Sequence, residues 1–167
     1  MKQILIFICC LTLFVTYGCA TTGPTTEKTQ LQIREFQTRS YSNCDSKMVM
    51  KAMLNVLQDD GYIVKNAVTD MGLLSAEKTV DVQNLGEAVA MAFFAGVHAR
   101  WKKASVVECT ANVSDYGKQT RVRVNFQVKV FDNKGGILEV KQIEDQKFYQ
   151  DFFTKVDKAV YIQKEKI

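Results

Sequence analysis

The sequence predicts an α+β domain, an antiparallel sheet with helices packed on one face, in the order β-α-β-β-α-β-β-β-α. Three observations predict it. Val122, Val124, Phe126, Val128 and Val130 alternate with Arg121, Arg123, Asn125, Gln127 and Lys129, the period of a strand with one packed and one solvated face. Val49, Ala52, Met53, Val56 and Leu57 recur at helical spacing, as do Tyr149, Phe152, Phe153, Val156 and Val160. Between strand runs lie short turn sequences suited to hairpins, which favour this class over a parallel sheet built from repeated crossovers.

The bulk numbers fit one such domain. The chain has 167 residues, of which 47% are hydrophobic and 24% charged, so it can build a core. Net charge is +4, too mild and too evenly spread to point to nucleic acid.

Taken in order, the first segment reads as a processing signal. Lys2 precedes an apolar run from Ile4 to Val15, too short for the roughly 20 residues a bilayer span requires. Val15-Thr16-Tyr17-Gly18-Cys19 resembles a bacterial lipobox, with Gly18 before the cysteine and Thr16 where Leu is usual. That resemblance implies a signal peptide over 1–18 and a diacylglyceryl group, with its palmitate-type chains, on Cys19. Ala20 in place of Asp implies sorting to the outer membrane. Residues 19–30, rich in Thr and without apolar periodicity, read as a flexible tether, leaving 31–167 as the single domain.

Leu31 to Tyr41 alternates and predicts a first strand. Asp45 is an N-cap candidate for a helix to Asp60, closed by Gly61 in the left-handed conformation with Tyr62 as its hydrophobic partner. Residues 62–68 and 73–82 predict a hairpin around Asp70-Met71-Gly72. Residues 84–103 predict the second helix. Strands over 106–113 and 119–131 flank the turn Ser114 to Lys118, and a strand over Ile137 to Gln142 follows Asn133-Lys134-Gly135-Gly136. Asp145 caps the last helix.

Gln37-Thr38-Arg39, Val56-Leu57-Gln58-Asp59, Gly72 to Lys78, Val122 to Gln127 and Tyr149 to Phe153 together resemble a family of uncharacterised bacterial outer-membrane lipoproteins, over most of residues 31–162. The element order is also loosely similar to helix-grip domains of accessory lipoproteins in outer-membrane β-barrel assembly. These resemblances imply an envelope location but no chemistry, since a fold hosts many functions.

Candidate chemistry is sparse. His98 is the single histidine, beside Arg100, Lys102 and Lys103, and no second ligand is spaced to share a metal with it. There is no G-x-S-x-G elbow. Asp59 and Asp60 are adjacent and diverge by about 100° on a helix, which suits a solvated end better than a shared proton. Cys44 and Cys109 have two readings, a disulfide in an oxidising compartment or two free thiols. Arg121, Arg123 and Lys129 form a basic row, with Arg39 as a further candidate, suited either to solvation or to an acidic polymer or phosphate-rich glycolipid.

Ala88 to Val97 runs without a charge. Its reading is either a core helix or an interaction surface formed by Met91, Phe93, Phe94, Val97 and Trp101. The expected function is a periplasm-facing, membrane-anchored lipoprotein with no catalytic activity and no cofactor. It would bind an envelope protein partner as adaptor or accessory subunit of an assembly or transport system. The alternative is a carrier or sensor of a small apolar ligand or lipid. Phe94→Asp separates the two readings of the apolar run. On an interaction surface it leaves the thermal transition unchanged and abolishes complex formation. In a core it unfolds the domain, because an unpaired buried charge costs as much as the whole stability of a small protein.

Overall fold

The computed structural model describes residues 28–80, 104–132 and 134–165. The expected signal peptide, Cys19, most of the tether, and the whole of 84–103, including Met91, Phe93, Phe94, Val97, His98 and Trp101, lie outside the described residues.

Within them the order is α1 (Gln30–Phe36), β1 (Thr38–Ser42), α2 (Ser46–Asp59), β2 (Ile63–Val68), β3 (Leu73–Val80), β4 (Ala104–Tyr116), β5 (Gln119–Phe131), β6 (Ile137–Gln142) and α3 (Gln146–Glu165). All pairings are antiparallel, with spatial order β1-β5-β4-β3-β2 and β6 also on β5. The α+β class is as expected.

The first element differs from expectation. Residues 30–36 are helical, and only 38–42 form the strand. The reason is a capping box. Thr29 accepts from the Gln32 amide while the Gln32 side chain accepts from the Thr29 amide, which satisfies two orphan donors of the first turn. Folded structure thus begins before Leu31, and Lys28 Nζ donates to the Glu144 carbonyl at 2.7 Å.

The other helices end as their sequences predict. Asp45 accepts from the Met48 amide at 2.6 Å. At the other end of α2, Gly61 has φ of 81°, its amide donates to Gln58 O, and the Tyr62 amide donates to Leu57 O, a Schellman closure. Asp145 accepts from the amides of Lys147 and Phe148. Strand β4 runs three residues past its expected end, to Tyr116, because the β4–β5 connection needs only Gly117 and Lys118. Gly72, at φ 64°, follows a single 3₁₀ turn, and its carbonyl accepts from the Val113 amide at 2.7 Å. A Cβ there would sit 1.8 Å from Val113 O, so only glycine fits.

Helices α2 and α3 pack together over one face of the sheet. Leu74, Ala76, Val107, Cys109, Ala111, Val113, Val122, Val124, Phe126 and Val128 point toward that face and are buried. Phe126 is its centre, with Phe148, Tyr149 and Phe152 meeting it edge-on at 5.0, 5.6 and 5.1 Å.

One edge of β5 is shared by two short strands. β1 covers Gln119 to Arg123 and β6 covers Gln127 to Phe131. Between them the Gln37 carbonyl accepts from the Val124 amide, and the Ile143 amide donates to the Phe126 carbonyl. The Phe126 amide is left over, and it donates to the Tyr149 hydroxyl at 3.0 Å. Buried Gln37 donates to the same oxygen at 3.2 Å. Tyr149→Phe keeps the ring but orphans the buried Phe126 N–H and takes one of two acceptors from the Gln37 carboxamide, which keeps Asn125. It should cost about 1–3 kcal/mol in urea unfolding, the usual penalty for an unsatisfied buried donor; a loss under a few tenths would refute this account.

Candidate functional site

The two faces of the sheet carry different chemistry. On the outer face, away from α2 and α3, β4 and β5 place Asn112 opposite Arg123, Ser114 opposite Arg121, and Glu108 opposite Gln127. Strand β1 adds Thr38 opposite Arg123 and Ser40 opposite Arg121.

Near Glu108 the charges are neutralised within the protein. Glu108 stands directly opposite Glu77, an unfavourable cross-strand pair. Each carboxylate has its own lysine at 2.6 Å, Lys129 for Glu108 and Lys65 for Glu77. Gln127 also donates to Glu108 at 2.6 Å. The hydrogen bond from Lys129, then that from Gln127, holds the Glu108 carboxyl below its ordinary range.

At the other end the charges are not neutralised. Arg34, Thr38, Asn112, Ser114, Tyr116, Arg121 and Arg123 line an open hollow of about 380 Å³. No carboxylate lines it, and none of its three arginines is ion-paired with a described residue. The guanidinium of Arg121 lies over the Tyr116 ring at 4.6 Å. Glu35, next to Arg34, lines a different hollow, and Asp115, next to Tyr116, belongs to the opposite face. Hydrogen bonds from Thr120, then Ser46, engage it there and lower its pKa.

The expected basic row is therefore reassembled. Arg121 and Arg123 are where alternation places them. Lys129 is tied to Glu108, and Arg39 faces the helices, where it pairs with Asp157 of α3. Arg34 replaces them, carried in by α1. Its place could have been found from the Thr29-x-x-Gln32 box, which makes the segment helical.

Cys44 and Cys109 are free thiols, the second of the two readings. Thr120 Oγ1 donates to the Cys44 carbonyl, so Cys44 sits at the Thr120 end of β5. Thr120 pairs with Asp115, six positions along β4 from Cys109, which is about 20 Å of strand. A bridge requires Cα atoms within about 7 Å. Cys109 is fully buried, and that burial pushes its thiol pKa far up.

Asp60 is a helix-end residue with partners. Its carboxylate pairs with Lys155 and its carbonyl accepts from Lys78 at 2.6 Å. A smaller hollow of about 270 Å³ there is floored by Tyr62, Phe126, Phe148 and Phe152. Among the described residues no three metal-ligating groups gather, and no helix is long and apolar enough to cross a membrane.

No protein-family model and no curated relative matches the chain. Two solved structures are similar to it at 9% identity. One is a TBP-like protein from Parabacteroides distasonis, matched over 74% of this chain and 90% of that one with a TM-score of 0.40. The other is a DUF4468 family protein from Bacteroides ovatus, matched over 74% and 84% with a TM-score of 0.40.

The Glu108 contacts predict an acid response. A carboxyl with a lowered folded pKa adds stability above its ordinary value near 4.5, and loses it as pH falls through the lowered value. Lys129→Met removes the larger cause of the lowering and leaves Glu108 facing Glu77. Its acid-unfolding midpoint should move to higher pH than that of the wild type; an unchanged midpoint would show that the pair contributes nothing.

Proposed function

We propose that the chain is a lipid-anchored module of the bacterial envelope that acts without catalysis, as an adaptor or accessory subunit of an assembly or transport system. It is attached through Cys19 to the outer membrane and faces the periplasm. The anchor rests on the sequence alone, on the lipobox-like residues 15–19 behind a short apolar run. The binding surface rests on one structural observation, the arginine hollow. Three arginines from α1 and β5 line it together while the neighbouring charges on the same face are paired internally.

A protein gains no stability by crowding three like charges. At the roughly 7 Å between alternate positions of a strand, two unit charges in water repel by about 0.6 kcal/mol. That is small enough for the fold to carry, and an arriving anion relieves it. The hollow therefore reads as a surface for an anionic envelope component. Interior carriage of an apolar ligand has less support, because Phe126, Phe148, Tyr149 and Phe152 fill the described space between helices and sheet.

Two measurements test this reading. Metabolic labelling with an alkyne fatty acid should mark the wild type in the membrane fraction, and Cys19→Ala should abolish both label and membrane retention. In cells, a photoreactive residue placed at Ser114 should give a discrete adduct, while one at exposed Lys158 on α3 should not. Equal adducts from both positions would remove the outer face as the binding surface.

A further inference from the structure

We propose that the arginine hollow is a lipid-headgroup site, in which Arg34, Arg121 and Arg123 hold the phosphate of a membrane phospholipid. This deepens the reading of the outer face as the binding surface and rests on it. Three observations select a phosphate, and then a lipid, from among anions.

The first is donor geometry. Arg34, Arg121 and Arg123 line one hollow of about 380 Å³, and Asn112, also lining it, stands between Arg123 of β5 and Leu73 of β3 in the register of the sheet. Guanidinium forks match phosphoryl oxygens bidentately, and several forks around one centre suit a group with three or four acceptor oxygens better than a single carboxylate. The Tyr116 ring packs beside the Arg121 guanidinium at the hollow, a cation–π contact that favours its position there.

The second is what surrounds the hollow. Leu31 stands one helical turn before Arg34 on the same side of α1 and is 76% exposed. Leu73 stands opposite Asn112 on β3 and is 41% exposed. Tyr116, on the rim itself, is 57% exposed. A free phosphate has no apolar part to set against this fringe. A bilayer interface has one, because leucine and tyrosine bodies enter the headgroup layer while arginines meet the phosphates.

The third is where the chain enters. Thr29 begins α1, so the element that carries Leu31 and Arg34 is the one joined directly to residues 19–28. Ten residues span at most about 36 Å. Lys28 Nζ is held by the Glu144 carbonyl, which fixes that entry on the domain. A membrane attached at Cys19 is thus within reach of the hollow.

The test uses the membrane-extracted, lipidated full chain in neutral maltoside micelles. The readout is the NMR signal of each arginine Nε–Hε group. Doping the micelles with phosphatidylglycerol should shift Arg34, Arg121 and Arg123 in a saturable manner. Arg39, occupied by Asp157, should stay still. The apparent affinity should exceed that for micelles doped with oleate, an equally charged carboxylate, by tenfold or more. R121Q/R123Q should fold with an unchanged thermal transition and lose at least tenfold in phosphatidylglycerol affinity. Equal responses to oleate and phosphatidylglycerol would overturn phosphate recognition. A response to inorganic phosphate without one to phosphatidylglycerol would overturn the lipid as occupant. No shift with any probe would overturn the site; if the Ser114 adduct still forms, the outer face binds something else and only this inference fails.

Discussion

The hydroxyl of Tyr149 stands where a strand should be. β5 lies one strand in from the side of the described sheet, and the chain covers its outer edge with two separate pieces, β1 and β6. A backbone N–H left in that seam would be a buried orphan, with a penalty of the same order as a sizeable share of total stability. The Phe126 amide avoids it by donating to a phenol that comes from α3, and Gln37 closes the seam from the β1 side. One oxygen therefore joins the link between α1 and β1, the strand β5 and the last helix. Burial raises the pKa of that phenol, so it stays neutral and keeps its place as acceptor and potential donor. The aromatic cluster around Phe126 then packs on a frame that is already registered.

With the inner face committed to that core, everything the domain can offer to others on this sheet lies outside. There the polar groups divide along the strands. Toward Phe131 they cancel in pairs, and toward the Gly117 turn they do not. The division follows from parity. In β5, Arg121, Arg123 and Lys129 share a face, but Glu108 lies within reach of Lys129 alone. The uncompensated arginines are thus a local property of where the acidic residues fall on β3 and β4, not of the mild net charge.

Much of the fold was legible because its signals are local. Asp45, Gly61 and Asp145 are caps whose chemistry acts within a few residues, and the helices they bound came out as expected. β5 and β6 have the expected limits because alternation and turn residues agree. The failure at Leu31 to Phe36 has a definite cause. Leu31 and Ile33 alternate as in a strand, while Ile33 and Phe36 also fit a helix, and the capping box at Thr29 decides between them. The candidate site was half legible for the same reason. Arg121 and Arg123 follow from strand parity, but Arg34 reaches them only through the packing of a helix that the alternation conceals. The pairing of Lys129 and the turning inward of Arg39 depend on cross-strand register and on Asp157, more than a hundred residues away. The separation of Cys44 from Cys109 likewise becomes visible only when the long β4–β5 hairpin is laid out.

The outermost strand, β2, has a register shift between Val64 and Asn66, with Lys65 at the irregularity, and β6 has one opposite Val130 and Phe131. An unbroken outer strand presents a ladder of backbone donors and acceptors to any neighbour. A bulge twists that ladder out of line, and the lysine at the break is turned back to Glu77 on the neighbouring strand. The described edges of the sheet are thus irregular templates, poorly matched to pairing in register with a second copy.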